Sequence, residues 1–363
     1  MRRPGGARRW LLVPVLAASL AGAALLAREL LPLRSILGLI DDGGCTPDLV
    51  HTRLPDNTPS EAGEWQLAQP YPTPRDEVRA AAVAGRIYVG TGLRLDGGEF
   101  KSLEELFRFD PVRETYVSVP DLPEKVDHPA FVGHRGALYV IGGFSGPQPT
   151  ASVWRFDPRA RRWASLEPMP TALASPAAAA IGHRIYVTGG SRLDRGEEST
   201  GSRALLIYDV RTGQWTRGPE MPTPRHHHGA TAINGELYVV GGREGDDLSI
   251  DAVERFDPTR GRWDRLAPLP LGVGGLSVVT AAGMVVAIGG GDDGESWVTP
   301  ATWGLDPDED RWQRLADLDV ARHGHGAAAV GSDVYVFAGA PCPGYGHTTA
   351  VETLRPSTAP GSQ

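Results

Sequence analysis

Short apolar runs rich in β-branched residues recur along the chain, each ending on small residues: GRIYVGTG, GALYVIGG, HRIYVTGG, GELYVVGG, GMVVAIGG and SDVYVFAGA. Their terminal glycines fall near positions 92, 143, 190, 242, 290 and 339. A run of this kind between turn residues predicts a buried strand, and a fixed period of about 50 residues predicts one supersecondary unit repeated around or along the fold. A second pattern lies between those strands. It reads LFRFDPVRETY, VWRFDPRARRW, LLIYDVRTGQW, VERFDPTRGRW and TWGLDPDEDRW, with Asp110, Asp157, Asp209, Asp257 and Asp306 each followed at the same distance by Tyr116, Trp163, Trp215, Trp263 and Trp312. An aspartate bonded to its own turn backbone, usually with proline next to it, predicts a tight antiparallel turn. Each repeat is therefore expected to hold four strands: an Ala-rich one, the Tyr-Val-Gly-Gly one, the Asp one and the aromatic one.

The glycine pair with tyrosine and tryptophan at matching spacings resembles the Kelch repeat over about residues 64–356. What that resemblance implies is an all-β fold, a six-bladed Kelch-type β-propeller with one four-stranded sheet per repeat. The least faithful copies are the fifth, where Val286 replaces the tyrosine, and the sixth, where Ala338-Gly339 replaces the glycine pair. Trp65, in EWQLAQ, has no aspartate ahead of it, while the Asp-type strand in TAVETLRPS has no aromatic strand after it. The two halves fit one another. The N-terminal strand is expected to close the last blade and leave no sheet edge bare.

Composition refines this picture only at the ends. Six arginines stand in the first 34 residues, and an uncharged apolar stretch runs from Trp10 to Ala27. Residues 1–40 are therefore expected to form a hydrophobic N-terminal helix serving as a signal peptide or uncleaved signal anchor, with the remainder extracytoplasmic, either membrane-anchored or released. Residues 41–63 read as a polar Pro/Gly-rich stem and 357–363 as a disordered tail. The formal net charge of −8 argues against a nucleic-acid partner. The chain has two cysteines, Cys45 and Cys342, and an oxidising compartment permits a disulfide between them that would fasten the stem to the closing blade.

Strand parity puts the long, varied loops and the blade-to-blade connections on one face, which is expected to carry function. Thirteen residues before the strand tyrosine stand Arg75, Arg225 and Arg322, where the other repeats have Val126, Leu173 and Val273. In Kelch domains that bind acidic peptides, arginines at this position project at the channel mouth. The resemblance thus implies a mouth formed by Arg75, Asp76, His128, Arg225, His226, Arg322 and His323, suited to an anionic or polyhydroxylated ligand. The alternative is that these arginines form local ion pairs within the blades.

The pairs His226/His228 and His323/His325 have spacing that would present imidazoles to a metal, but no thiolate or carboxylate cluster accompanies them in sequence. No metal and no cofactor are expected. The expected function is a protein- or glycan-binding module acting through the long-loop face. An enzyme is the alternative. Exported six-bladed sialic acid mutarotases resemble the chain more than galactose-oxidase-like enzymes do, whose copper chemistry Cys342, Tyr345 and His347 would have to supply.

Overall fold

A computed structural model describes residues 40–41, 52–53, 63–96, 99–192, 201–245, 248–294, 296–343 and 346–355. Among them are six four-stranded antiparallel sheets. The first blade is built from Arg79–Val83, Arg86–Gly90, Leu106–Asp110 and Thr115–Ser118, and four more blades repeat that order. The sixth takes three strands from the C-terminal end, Gly326–Val330, Asp333–Phe337 and Val351–Leu354, and its outermost strand from Trp65–Leu67. Trp65 pairs with Leu354, Gln66 with Thr353 and Leu67 with Glu352, so the ring closes where the orphan tryptophan predicts.

The innermost strands are small-residue runs such as RAAAV, AAAAI and GAAAV because six of them converge near the axis. They enclose a channel segment of about 270 Å³ lined largely by alanine and valine. Gly133 shows how little room exists: a Cβ there would meet the Ala82 carbonyl oxygen at 1.8 Å. Between blades, the second strand of each sheet is almost wholly buried, as in ALYVI and RIYVT, and contributes to cores shared with the next blade.

Two local devices repeat. In the Asp turns the carboxylate accepts backbone N–H groups two and three residues on, for example Arg159 at 2.9 Å and Ala160 at 3.1 Å on Asp157. The aromatic of each outermost strand reaches across to the neighbouring blade. Trp163, Trp215, Trp263, Trp312 and Trp65 donate their indole N–H to the carbonyls of Pro120, Glu167, Pro219, Ala267 and Ala316 at 2.8–3.0 Å, and the Tyr116 hydroxyl donates to Gln69. These six bonds run once around the ring, with Trp65 supplying the one that links the sixth blade to the fifth.

The degenerate glycine pair of the sixth blade has a simple cause. The second residue of every pair has φ near +100°, as at Gly242 (+102°) and Gly339 (+102°), which only glycine adopts. The first residue sits near +50° to +65°, within the left-handed helical region, where Ala338 (+52°) and Thr91 (+58°) are tolerated.

The helix expected within 1–40 and the tail expected at 357–363 lie outside the described residues. No described helix is long and apolar enough to cross a membrane. Parts of the expected stem are not free-standing. Ile40 and Asp41 pair with Thr348 and His347, and Thr52 bridges to Val298, with the Arg53 guanidinium 5.2 Å from the Trp297 ring centroid.

Candidate functional site

The site is built from the six blade-to-blade connections: Arg75-Asp76-Glu77, Val126-Asp127-His128, Leu173-Ala174-Ser175, Arg225-His226-His227, Val273-Gly274-Gly275 and Arg322-His323-Gly324. The middle residue of each bridges to the residue after the glycine pair of its own blade, as Asp76 does to Leu93 and His323 to Ala340. The last residue of each takes a left-handed conformation. Glu77, His128, Ser175 and His227 do so at φ +50°, +54°, +52° and +51° without the freedom of glycine, a strained geometry that a surrounding structure must hold. Backbone bonds link these positions from blade to blade. Ser175 donates to His128, His227 to Ser175, Gly275 to His227, Gly324 to Gly275, and Val78 to Gly324, at 2.9–3.3 Å.

Above that ring lies a pocket of about 180 Å³ lined by Asp76, Glu77, Leu93, Phe100, His128, His227, Arg243, Asp293 and His323. Four expected site residues are thus accounted for at the mouth: Asp76, His128 and His323 line the pocket, and His226 lies behind it with its ring 4.7 Å from that of His227. Glu77, His227, Arg243 and Asp293 supply the pocket's other polar groups.

The three expected arginines are not at the mouth. Arg75, Arg225 and Arg322 are wholly buried and pair with Glu105, Glu254 and Glu352 at 2.8, 2.9 and 2.7 Å. Arg225 also donates to the carbonyls of Gly241 and Ala252. Glu254 and Glu352 occupy the second position of the third strand, facing Val239 and Val336. The same position holds Leu206 in the third blade and Trp303 in the fifth, in shared cores with Leu173 and Val273. The fourth and sixth blades thus carry a charged pair at this place and the third and fifth an apolar one. In the first blade Phe107 stands there instead, and Arg75 pairs with Glu105 just ahead of the strand. The visible signal was a glutamate accompanying the arginine within one repeat. Nor do the i, i+2 histidines act together. His228 turns inward to Thr188 Oγ1 at 2.9 Å, and His325 lies in the channel beneath the ring.

Charge and hydrogen bonding organise the pocket around Glu77. Its Oε2 accepts from Arg79 at 3.0 Å and lies 3.3 Å from His128 Nε2, and its Oε1 is 4.0 Å from His323 Nδ1. Burial pushes the Glu77 carboxyl up, but His128, Arg79 and His323 together outweigh it and hold it down to about 2. Asp76 next to it is raised well above the usual range, by burial first and then by the Glu77 charge. Burial lowers His226 to about 4 and also lowers His227 and His323. Arg243 pairs with Asp293 at 2.6 Å. The lining thus offers three carboxyl side chains, three imidazoles and the Arg243 guanidinium, with Arg79 also bound to Glu77, a set of donors and acceptors suited to hydroxyl groups or a cation. Tyr345 lies outside the described residues. His347 accepts the Leu95 N–H at 3.2 Å.

The profile of the KLHDC2/KLHL20/DRC7 Kelch-repeats domain matches residues 170–339, and that of the Kelch motif matches 128–170. The chain is similar to Kelch-like protein terF of Aspergillus terreus, 27% identical over 254 residues covering 65% of this chain and 55% of that protein. Similarity to beta-scruin of Limulus polyphemus is 32% over 92 residues, or 25% of this chain and 10% of the relative. The chain thus spans about half the length of the first relative and far less of the second. The solved structure of YjhT superposes with a TM-score of 0.67 at 16% identity, covering 79% of this chain and 99% of that one. With six blades, a closing N-terminal strand and Kelch profiles that together match residues 128–339, this chain belongs to the Kelch-repeat β-propeller family.

Proposed function

We propose that this propeller is an extracytoplasmic glycan-binding module whose loop-rich face receives one sugar unit at the channel mouth. The observation that carries the reading is Phe100. It is 54% exposed on the hairpin Leu93–Asp96/Glu99–Ser102, at the rim of a pocket whose other walls are carboxylates and imidazoles. An apolar ring beside convergent hydrogen-bonding groups is what a pyranose needs: its C–H face rests on the ring while its hydroxyls donate to carboxylates. About 180 Å³ suits a single sugar better than a peptide segment.

Binding is favoured over acidic-sugar mutarotation because the arginines that chemistry would require are already committed to glutamates inside the blades. In a thermal-shift screen with EDTA present, a neutral glycan should stabilise the protein by about 2.7 kcal/mol at 100 times its Kd. Phe100→Ala should weaken that binding at least ~10-fold without lowering the unliganded melting temperature. Absence of any shift with neutral glycans, or binding indifferent to Phe100, would sink the reading, and a preference for acidic sugars would restore the mutarotase.

The extracytoplasmic placement rests on the N-terminal sequence and on Cys342. That residue is 4% exposed, in the loop ahead of His347. Pairing of Ile40–Asp41 with His347–Thr348 brings the chain before Cys45 alongside the loop that holds Cys342. Non-reducing peptide mapping of the exported protein should recover Cys45 and Cys342 in one linked peptide. Its reduction should cost about 2–4 kcal/mol. Two alkylated thiols would count against both the bridge and the compartment.

A further inference from the structure

We propose that Glu77 is the centre of a divalent transition-metal site at the channel mouth, with His128 and His227 as nitrogen donors. The donor atoms of these three residues lie within 4.8 Å of one another, His227 exchanging its contact with Ser175 Oγ or with His226 Nδ1 for the ion, and those of Asp76, Glu77 and His323 form a second such set on the same carboxylate. The inference concerns the pocket already described but does not depend on its organic ligand.

The argument turns on where hydrogens can sit. His323 Nε2 lies 3.0 Å from the Cys342 carbonyl oxygen. A carbonyl only accepts, so Nε2 carries the hydrogen. In the neutral imidazole this leaves a lone pair on Nδ1, which is buried, has no hydrogen-bond partner and is aimed at Glu77 Oε1. His323 is 4% exposed, so water does not meet that demand from the bulk. His128 repeats the arrangement on the other carboxylate oxygen. Its Nδ1 is 2.7 Å from Asp127 Oδ1, and Ser102 Oγ donates to the second oxygen of the same carboxylate. In its neutral form His128 therefore donates through Nδ1 and directs its Nε2 lone pair at Glu77 Oε2, 3.3 Å away.

With both imidazoles neutral, two lone pairs face the two oxygens of one carboxylate, an arrangement that a bound cation turns from repulsion into ligation. Donors about 2.0–2.1 Å from a tetrahedral ion stand about 3.3–3.4 Å apart, the span seen between Oε2 and Nε2. An aspartate holding the outer nitrogen of a ligating histidine fixes its tautomer and strengthens it as a donor. Arg79 also donates to Oε2, but a carboxylate oxygen has lone pairs enough for both. Imidazole donors favour zinc-like ions over calcium or magnesium.

The probes are Zn²⁺ and Co²⁺, titrated calorimetrically and spectroscopically into the EDTA-stripped full-length protein. At least one equivalent of Zn²⁺ should bind per chain, Co²⁺ should develop visible d–d bands, and Ca²⁺ should give no heat. Glu77→Gln and His227→Ala should each weaken Zn²⁺ binding more than ~10-fold, and Asp127→Asn by about 10–100-fold. His227 is only half-buried, so its variant remains informative if Glu77→Gln does not fold. Binding below a tenth of an equivalent, or Zn²⁺ affinity unchanged in both ligand variants, overturns the site. Because glycan binding is scored with EDTA present, failure here and failure of the glycan reading are told apart.

Discussion

Trp65→Ala should lower stability by about 3–5 kcal/mol, the cost of emptying a buried aromatic site, and should do so although Trp65 lies far in sequence from everything it touches. The side chain is 3% exposed and packs in one core with Leu315, Leu318, Val334 and Leu354. Its indole N–H donates to the Ala316 carbonyl at 2.9 Å, the link between sixth and fifth blades. Truncation therefore leaves a cavity and an unmet acceptor beside the one strand that joins its blade from the other end of the chain. Trp65→Phe keeps most of the volume and removes the donor, and should cost about 1–2 kcal/mol. Chemical denaturation of both variants, monitored by tryptophan fluorescence and far-ultraviolet circular dichroism, measures the difference. A wild-type midpoint for Trp65→Ala would mean that the N-terminal strand is not integral to the sixth blade.

The second large effect concerns the arginines. Arg322→Leu alone should destabilise by about 3–5 kcal/mol, because Glu352 then remains buried without its counter-charge. Both side chains are 0% exposed and 2.7 Å apart. Glu352 also accepts the Asp319 and Val320 backbone N–H groups, which hold it in place after the arginine is gone. Burial already pushes the Glu352 carboxyl up, and removal of Arg322 should push it further. Adding Glu352→Leu to Arg322→Leu recreates the Leu173/Leu206 pair of the third blade and should recover most of the loss. A double-mutant cycle that found simple additivity would show that the pair is not coupled. Sugar binding should be unchanged in the double variant, since neither residue lines the pocket.

The architecture was legible because each repeat carries its own local chemistry. The small-residue inner strand, the glycine pair, the Asp turn and the returning tryptophan each report a backbone requirement within a few residues. The missing partner of Trp65 was readable as an incomplete unit at each end of the chain. Even the irregular Ala338 follows from a local rule, since the first residue of the pair needs only the left-handed region. The arginines were misplaced for a physical reason. Their position in the repeat is common to Arg75, Arg225 and Arg322, but their direction depends on whether a glutamate waits inside the blade. For Arg225 and Arg322 that glutamate, Glu254 or Glu352, lies about thirty residues on in the same repeat.

The pocket itself had no linear signature. Glu77, His128 and His227 stand in the first, second and fourth repeats, and nothing in the spacing of any one repeat marks them as neighbours. Sequence alone determined the number of blades, their strand order and the closure, because those follow from periodicity and short-range backbone demands. Only the tertiary structure decided which polar side chains converge at the mouth. A closed ring sets the left-handed connections of distant repeats side by side, and buried glutamates draw the arginines away from it.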